Sequence, residues 1–264
     1  MREPLRAGGH ARAREPRVAA KTEDEIAAMR RAGQVVAEAL EAMRAAVAPG
    51  VETAQLDRLA EDLIRGRGAA PSFKGYNGFP ASVCTSVNDE VVHGVPGPRR
   101  LREGDIVSID VGAIVDGYQA DAAATYPVGE ISAGARRLVR VTRQALYAGI
   151  AQARAGRTLR DIARAIEGRA TRGGYSVVRE LVGHGIGREM HEPPQVPNYA
   201  DGASPLELRA GMTLAIEPMV NEGGYEIVKD ADGWTFRTAD GGLSAHWEHT
   251  VVVRADGGEI ITAR

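Results

Sequence analysis

The segment REGDIVSID at 102–110 is answered further along the chain by RAGMTLAIE at 209–217, and each ends in an acid, Asp110 and Glu217. The segments before them echo one another as well. TEDE at 22–25 has the pattern of a capping box with Thr22 as the cap. Ile26, Met29, Val36, Leu40, Met43 and Val47 then draw one apolar stripe along a helix that APG at 48–50 stops. A second helix is expected from Thr53 to about Arg65, burying Leu56, Leu59, Leu63 and Ile64. In the later half Ser132 opens a long helical stretch to about Ala155, and the run from Thr158 is the counterpart of the second helix. A duplicated helix, helix, sheet unit predicts an α+β domain with pseudo-two-fold symmetry and an acid at a comparable place in each half.

Starting within the first echo segment, 105–115 and 117–128 read as strands joined through Asp116-Gly117, a strong hairpin signal. With those two residues as the loop, Val115 opposes Tyr118 and Asp110 opposes Ala123. Asp121 then lies two residues from Ala123, on the same face. The carboxylates of Asp110 and Asp121 become diagonal neighbours, within about 7 to 8 Å at the backbone. Two ionised acids so placed repel unless a cation or a shared proton relieves them. Glu217 in TLAIEPMV and Glu248 in SAHWEHTVVVR are likewise set in apolar, strand-like segments, where a lone carboxylate is costly. Four embedded acids with a nearby histidine suit a mixed site for two divalent ions bridged by carboxylates. Thiolates for a structural zinc site are missing, since Cys84 is the single cysteine.

Composition bounds the remaining classes. A chain of 264 residues, 44% hydrophobic and 26% charged, with a formal charge of -2, reads as an ordinary soluble globular protein and gives no overall reason to seek nucleic acid. No apolar run approaches the roughly 20 residues that a spanning helix needs, so no membrane partner is expected. One cysteine and no secretory signal suit a cytoplasmic location. Residues 1–21 carry six basic and two acidic residues and almost no large apolar one. A disordered tail is the expectation, and a docking arm for an anionic partner the sharper alternative. The folded domain is expected over 22–264.

GHGIGREMHE at 183–192 places His184 and His191 around a glycine-rich turn. Metal ligands, a phosphate loop and an ordinary turn are all open on this stretch alone. The phosphate reading is weak, because GHGIG lacks the Lys-Ser/Thr of a P-loop.

The ordered set Asp110, Asp121, His184, Glu217 and Glu248 resembles the five-ligand dinuclear site of the type I methionine aminopeptidases, metallopeptidases of the M24 type with the pita-bread fold. The resemblance runs from about residue 22 to 262 and rests on SVCTSVNDEVVHGVP, IDVGAIVDGYQADAAATYPVG, GHGIGREMHEPPQV, GMTLAIEPMVN and SAHWEHTVVV. It implies that Asp110 holds one metal, that Asp121 and Glu248 bridge both, and that His184 and Glu217 complete the other. Cobalt, manganese, iron and zinc all suit such ligands. It further implies attack by a metal-bridging hydroxide, Glu217 as proton shuttle, His191 on the reacting carbonyl, and His93 on the peptide beyond the scissile bond.

The methionine slot implied by the same motifs is lined by Phe73, Tyr76, Phe79, Cys84, Met190 and Trp234. Relatives usually carry an aromatic residue at the place of Met190, and many bacterial ones a cysteine at that of Phe73; both departures bear on fine selectivity. The interval from His191 to Glu217 is too short for the helical subdomain of type II members. The implied substrates are N-termini of nascent polypeptides with a small second residue, and the implied state is a monomer, with the ribosome as a partner through the basic tail. Two rival readings are kept: a proline-specific pita-bread aminopeptidase, for whose usual extra N-terminal domain this chain has no room, and a non-catalytic pita-bread binding module.

Overall fold

The computed structural model describes residues 18–263. Most of the segment read as a basic tail, residues 1–17, lies outside the described residues. Its end, 18–21, is held against the body: Arg209 donates to the Val18 carbonyl at 2.9 Å, and the Lys21 amide donates to the Gly211 carbonyl at 2.7 Å.

The first half comprises α1 (Glu23–Ala46), α2 (Thr53–Gly66), β1 (Ala70–Pro71), β2 (Val83–Val87), β3 (Glu90–Val92), β4 (Ile106–Val115) and β5 (Tyr118–Pro127). In the second half α3 (Ala133–Ile150) and α4 (Leu159–Arg172) precede β6 (Ser176–Val177), β7 (Gly183–Gly185), β8 (Glu192–Val196) and β9 (Thr213–Ile216). It continues through β10 (Met219–Asn221), β11 (Ile227–Lys229), β12 (Phe236–Thr238), β13 (Ser244–His246), β14 (His249–Val253) and β15 (Gly258–Ile260). The α+β class and the repeated helix, helix, sheet order are those expected. Each half has a main antiparallel sheet: β1-β4-β2 with β5 on β4, and β15-β14-β9-β7-β8.

The caps form for the reasons visible in sequence. Thr22 and Glu25 bond reciprocally at the start of α1, and Thr158 and Asp161 do the same at α4, satisfying amides that the first turn would leave orphaned. Ile26, Met29, Val36, Leu40 and Met43 are all buried along α1. A fully buried side chain of this size contributes roughly 1.5 to 3 kcal/mol. Gly33 lies where α1 crosses the C-terminal strand, and a Cβ there would stand 2.1 Å from the Ile261 carbonyl oxygen, so even alanine would force the two apart. Helix α3 stops at Ile150, short of the expected Ala155. The next residues are claimed by tertiary bonds instead, Ala155 N–H to the Arg254 carbonyl at 2.8 Å and Gly156 N–H to the Leu208 carbonyl at 3.0 Å.

The two-residue hairpin at Asp116-Gly117 is present, with φ of 52° and 76°, the positive pair that a tight hairpin of matching twist requires. Register follows: Val115 pairs with Tyr118 and Asp110 with Ala123. Along β4, Val107, Ile109, Val111 and Ala113 join the core beneath α1 and α2. Strand alternation therefore turns Ser108, Asp110 and Gly112 to the opposite face. The second half repeats this, Leu214, Ile216, Val251 and Val253 packing beneath α3 and α4.

Across the seam, β5 meets the segment around Glu248. Glu248 N–H donates to the Ala123 carbonyl at 2.9 Å, His246 N–H to the Thr125 hydroxyl at 2.9 Å, and Asp121 N–H to the Thr250 hydroxyl at 3.0 Å. The edges of the two sheets thus join, and the acids of both halves share one space. Glu217 and Glu248 are not inside strands, as the sequence suggested, but in the breaks after β9 and before β14, directly beyond the pair Ile216 and His249. Pro218 accounts for the first break, because it has no N–H to continue the ladder.

Candidate active site

A cavity of about 170 Å³ lies at this seam, lined by Phe73, Tyr76, Asn77, Phe79, Cys84, His93, Asp110, Asp121, His184, Met190, His191, Glu217, Trp234 and Glu248. Every residue named from the sequence as a ligand, a catalytic group or part of the methionine slot is among them. Asn77 is the one liner that was not.

The carboxylates crowd one end. Asp121, His184 and Glu248 each offer a ligand atom within 4.8 Å of the others'. His184 Nε2 lies 3.6 Å from Asp121 Oδ2 and 3.6 Å from Glu217 Oε1. Its Nδ1 meets the Gly185 carbonyl at 2.9 Å, which fixes the proton on Nδ1 and leaves the Nε2 lone pair facing the acids. Asp110 stands directly across from Cys84 in the β2–β4 ladder, and its Oδ1 is buried without a hydrogen-bond partner.

Burial pushes every one of these acids up. Asp110 and Glu248 are carried well above the ordinary carboxylate range by desolvation and then by neighbouring carboxylates. Glu217 is raised to about 8, by desolvation first, with the His184 imidazole opposing and Asp121 adding to the rise. Asp121 is raised too, chiefly by desolvation, against the lowering effect of His184 and the Thr250 hydroxyl. Two buried acids, Asp121 and Glu248, two half-buried ones, Asp110 and Glu217, an orphaned carboxylate oxygen and an imidazole with its lone pair turned inward form a donor set that fits divalent cations. Oxygen and nitrogen ligands in this mixture suit transition metals better than calcium or magnesium alone.

The far end of the cavity is apolar. Phe79 and Trp234 meet edge to face with centroids 5.2 Å apart, and Cys84 is buried beside them. Desolvation and the nearby Asp110 drive the Cys84 thiol well up, so it serves as a small apolar wall and not as a nucleophile. Met190 closes the side with Tyr76 and Phe73.

Two histidines lie between the ends. The Tyr76 hydroxyl is 2.7 Å from His191 Nδ1, and the His191 ring lies 4.3 Å from that of His184. His93 opens into the cavity with part of its surface exposed, and desolvation of the ring lowers its pKa to about 4, with His246 and Lys229 adding. Its backbone is left-handed, with φ of 59°, a strained conformation for a non-glycine residue. Gly94 follows because a Cβ there would lie 2.3 Å from the Thr85 carbonyl oxygen. Desolvation also lowers His191 to about 4, helped by its histidine neighbours.

Thr250 and His246 touch this site and were not singled out in the sequence. Both stand two positions from Glu248, where strand alternation places side chains on its face, and that spacing was the available signal.

Such a two-halved fold with a cluster of acids and imidazole fits a metal centre, and the chain belongs to metallopeptidase family M24, which its residues 27–255 match. Within that family it belongs with the methionine aminopeptidases. It is 51% identical to the methionine aminopeptidase of Clostridium acetobutylicum over 92% of this chain and 97% of that one. Methionine aminopeptidase 1 of Bacillus subtilis is 48% identical, over 92% and 98%. The crystal structure of the Thermotoga maritima methionine aminopeptidase superposes with a TM-score of 0.92 at 44% identity, covering 94% of this chain and all of that one. The fold is therefore the pita-bread fold, and the family works with divalent metal.

Proposed function

We propose that this chain is a hydrolase that removes the N-terminal methionine from nascent proteins and peptides whose second residue is small, such as Gly, Ala or Ser. The observation that carries this reading is one cavity with an acid and imidazole cluster at one end and an apolar slot at the other. An N-terminal methionine spans such a cavity, its thioether against Phe79, Cys84, Met190 and Trp234 and its amine and carbonyl against the acids.

Asp110, Asp121, His184, Glu217 and Glu248 would hold two divalent cations; cobalt, manganese, iron and zinc are the candidates. When bound, these ions supply a polarised carbonyl and a water acidified toward neutrality. Glu217 takes the proton of the attacking water and returns it to the departing amine. With Tyr76 donating to Nδ1, His191 carries its proton on Nε2 and presents it to the carbonyl oxygen as charge develops there. His93 supports the segment beyond the scissile bond. The apolar end excludes water from the slot, and a free N-terminus is the part of a chain that this slot receives.

The folded unit over 22–264 acts as a cytoplasmic monomer on chains leaving the ribosome, with residues 1–21 as the candidate contact. No helix among the described residues is long and apolar enough to cross a membrane. An Asp110→Ala protein is expected to lose hydrolysis of Met-Gly-Met-Met by orders of magnitude; full retention of that activity overturns the proposal.

A further inference from the structure

We propose that His246 is a positioning residue for Glu217, an inference that rests on the reading of Glu217 as a cation ligand. His246 is 1% exposed at the end of β13 and is not among the residues lining the cavity. Its Nε2 has no hydrogen-bond partner and stands 3.6 Å from Glu217 Oε2. The other oxygen of the same carboxylate, Oε1, stands 3.6 Å from His184 Nε2. One imidazole therefore faces each oxygen of Glu217, His184 from within the ligand cluster and His246 from behind it.

The backbone that carries this imidazole is pinned across the seam. His246 N–H donates to the Thr125 hydroxyl at 2.9 Å, the same hydroxyl donates back to the His246 carbonyl at 2.8 Å, and Ser108 bonds it at 2.8 Å. Cα register sets His246 opposite Met219, and Trp247 N–H reaches the Pro218 carbonyl at 3.4 Å, so the two breaks that carry Glu217 and Glu248 are tied together.

An apolar side chain would fill this position without leaving a polar atom unpaired. A buried N–H with no acceptor costs about 1 to 3 kcal/mol, so an imidazole here calls for an acceptor, and Glu217 Oε2 is the one it faces. A small rotation of Glu217 brings the pair into hydrogen-bond range. With Nε2–H donating to Oε2, that oxygen is committed and Oε1 is left to face the cations. Hydrogen bonds of this kind to a ligating carboxylate typically support about 10- to 100-fold in metal affinity.

The test is Mn2+ titration calorimetry on metal-stripped protein for wild type, His246→Leu, His246→Gln, Glu217→Gln and the His246→Leu/Glu217→Gln double variant. His246→Leu is expected to weaken binding by about 10- to 100-fold and to lower kcat with little change in KM. His246→Gln, which keeps a donor, is expected to restore most of the affinity. In the Glu217→Gln background the His246→Leu loss is expected to shrink, because the two residues act as a unit. His246→Asn, whose amide stops short of Glu217, is expected to behave like His246→Leu and replaces it should the leucine variant not fold. Wild-type affinity in His246→Leu or His246→Asn overturns the inference, as does an equal loss in both backgrounds. An unchanged affinity in Glu217→Gln alone overturns the ligand reading on which it rests.

Discussion

The Thr250 hydroxyl, from the second half of the chain, lies 2.9 Å from Oδ1 of Asp121, from the first. It also bonds the Asp121 carbonyl at 2.8 Å and accepts the Asp121 amide at 3.0 Å. One side chain thereby reaches both the backbone and one carboxylate oxygen of this proposed ligand, leaving Oδ2 for the cations.

Thr250→Val keeps the shape and removes the hydroxyl that accepts the Asp121 amide and shares its one proton between the Asp121 carbonyl and Oδ1. Cation affinity is expected to fall by about tenfold or more, because a ligating carboxylate loses the partner that orients it. Calorimetric titration of metal-stripped protein measures this, and an unchanged affinity contradicts the role given to Thr250.

Tyr76→Phe removes the partner of His191 Nδ1, so the imidazole is free to exchange tautomers. A hydrogen bond of about 1 to 1.5 kcal/mol corresponds to roughly tenfold in rate. The expected loss is in kcat on Met-Gly-Met-Met, with KM little changed, because the interaction strengthens only as charge develops on the carbonyl oxygen. A rise in KM alone would place Tyr76 in ground-state binding instead.

Cation uptake is expected to release protons. Without a cation, burial holds Glu217 at about 8, with Asp121 adding and His184 opposing, and Asp110 and Glu248 are raised as well. At pH 7 Glu217 therefore carries a proton that a cation displaces, and affinity increases as pH rises toward 8. Calorimetry in two buffers of different ionisation enthalpy should show at least about one proton released per molecule at pH 7. No release contradicts the buried, protonated resting cluster.

A separate pH dependence belongs to His249. Its ring is buried, with Nδ1 2.9 Å from the Thr262 hydroxyl and Nε2 3.3 Å from the Tyr147 hydroxyl. Desolvation, with Arg143 adding, lowers it to about 4 in the folded chain. The unfolded chain titrates near about 6.5 and so binds more protons between the two values; stability is full above that range and declines as pH falls through it, levelling below about 4. The contribution is of order 1 to 3 kcal/mol. Urea midpoints of metal-stripped protein at pH 7 and 4.5 should lie closer together in His249→Gln than in wild type, and an equal gap contradicts this account.

What the sequence made legible was the part governed by local rules. The Asp116-Gly117 turn sets the register of β4 on β5, and register alone places Asp110 and Asp121 on one face. Capping residues and apolar spacing set where α1, α2 and α4 begin. The resemblance to a known family supplied the far grouping that no local rule reaches, Glu217 and Glu248 in one ligand set with Asp110, Asp121 and His184, whereas the contact of Tyr76 with His191 came only from the structure. Contacts across the seam stayed hidden for a physical reason: Thr250 and His246 look like ordinary strand residues until β5 is laid beside them. The early end of α3 and the docking of Lys21 beside Gly211 are likewise decided by distant carbonyl groups, not by propensity.

The most direct test of the central claim is methionine release from Met-Gly-Met-Met, beside an Ala-Pro peptide, after chelation and after restoring manganese or cobalt. The account predicts cleavage of the methionyl peptide alone, lost on chelation and regained with the cation. Cleavage of the Ala-Pro peptide alone would reassign the site to a proline-specific enzyme, and no cleavage of either peptide would leave a non-catalytic binding module.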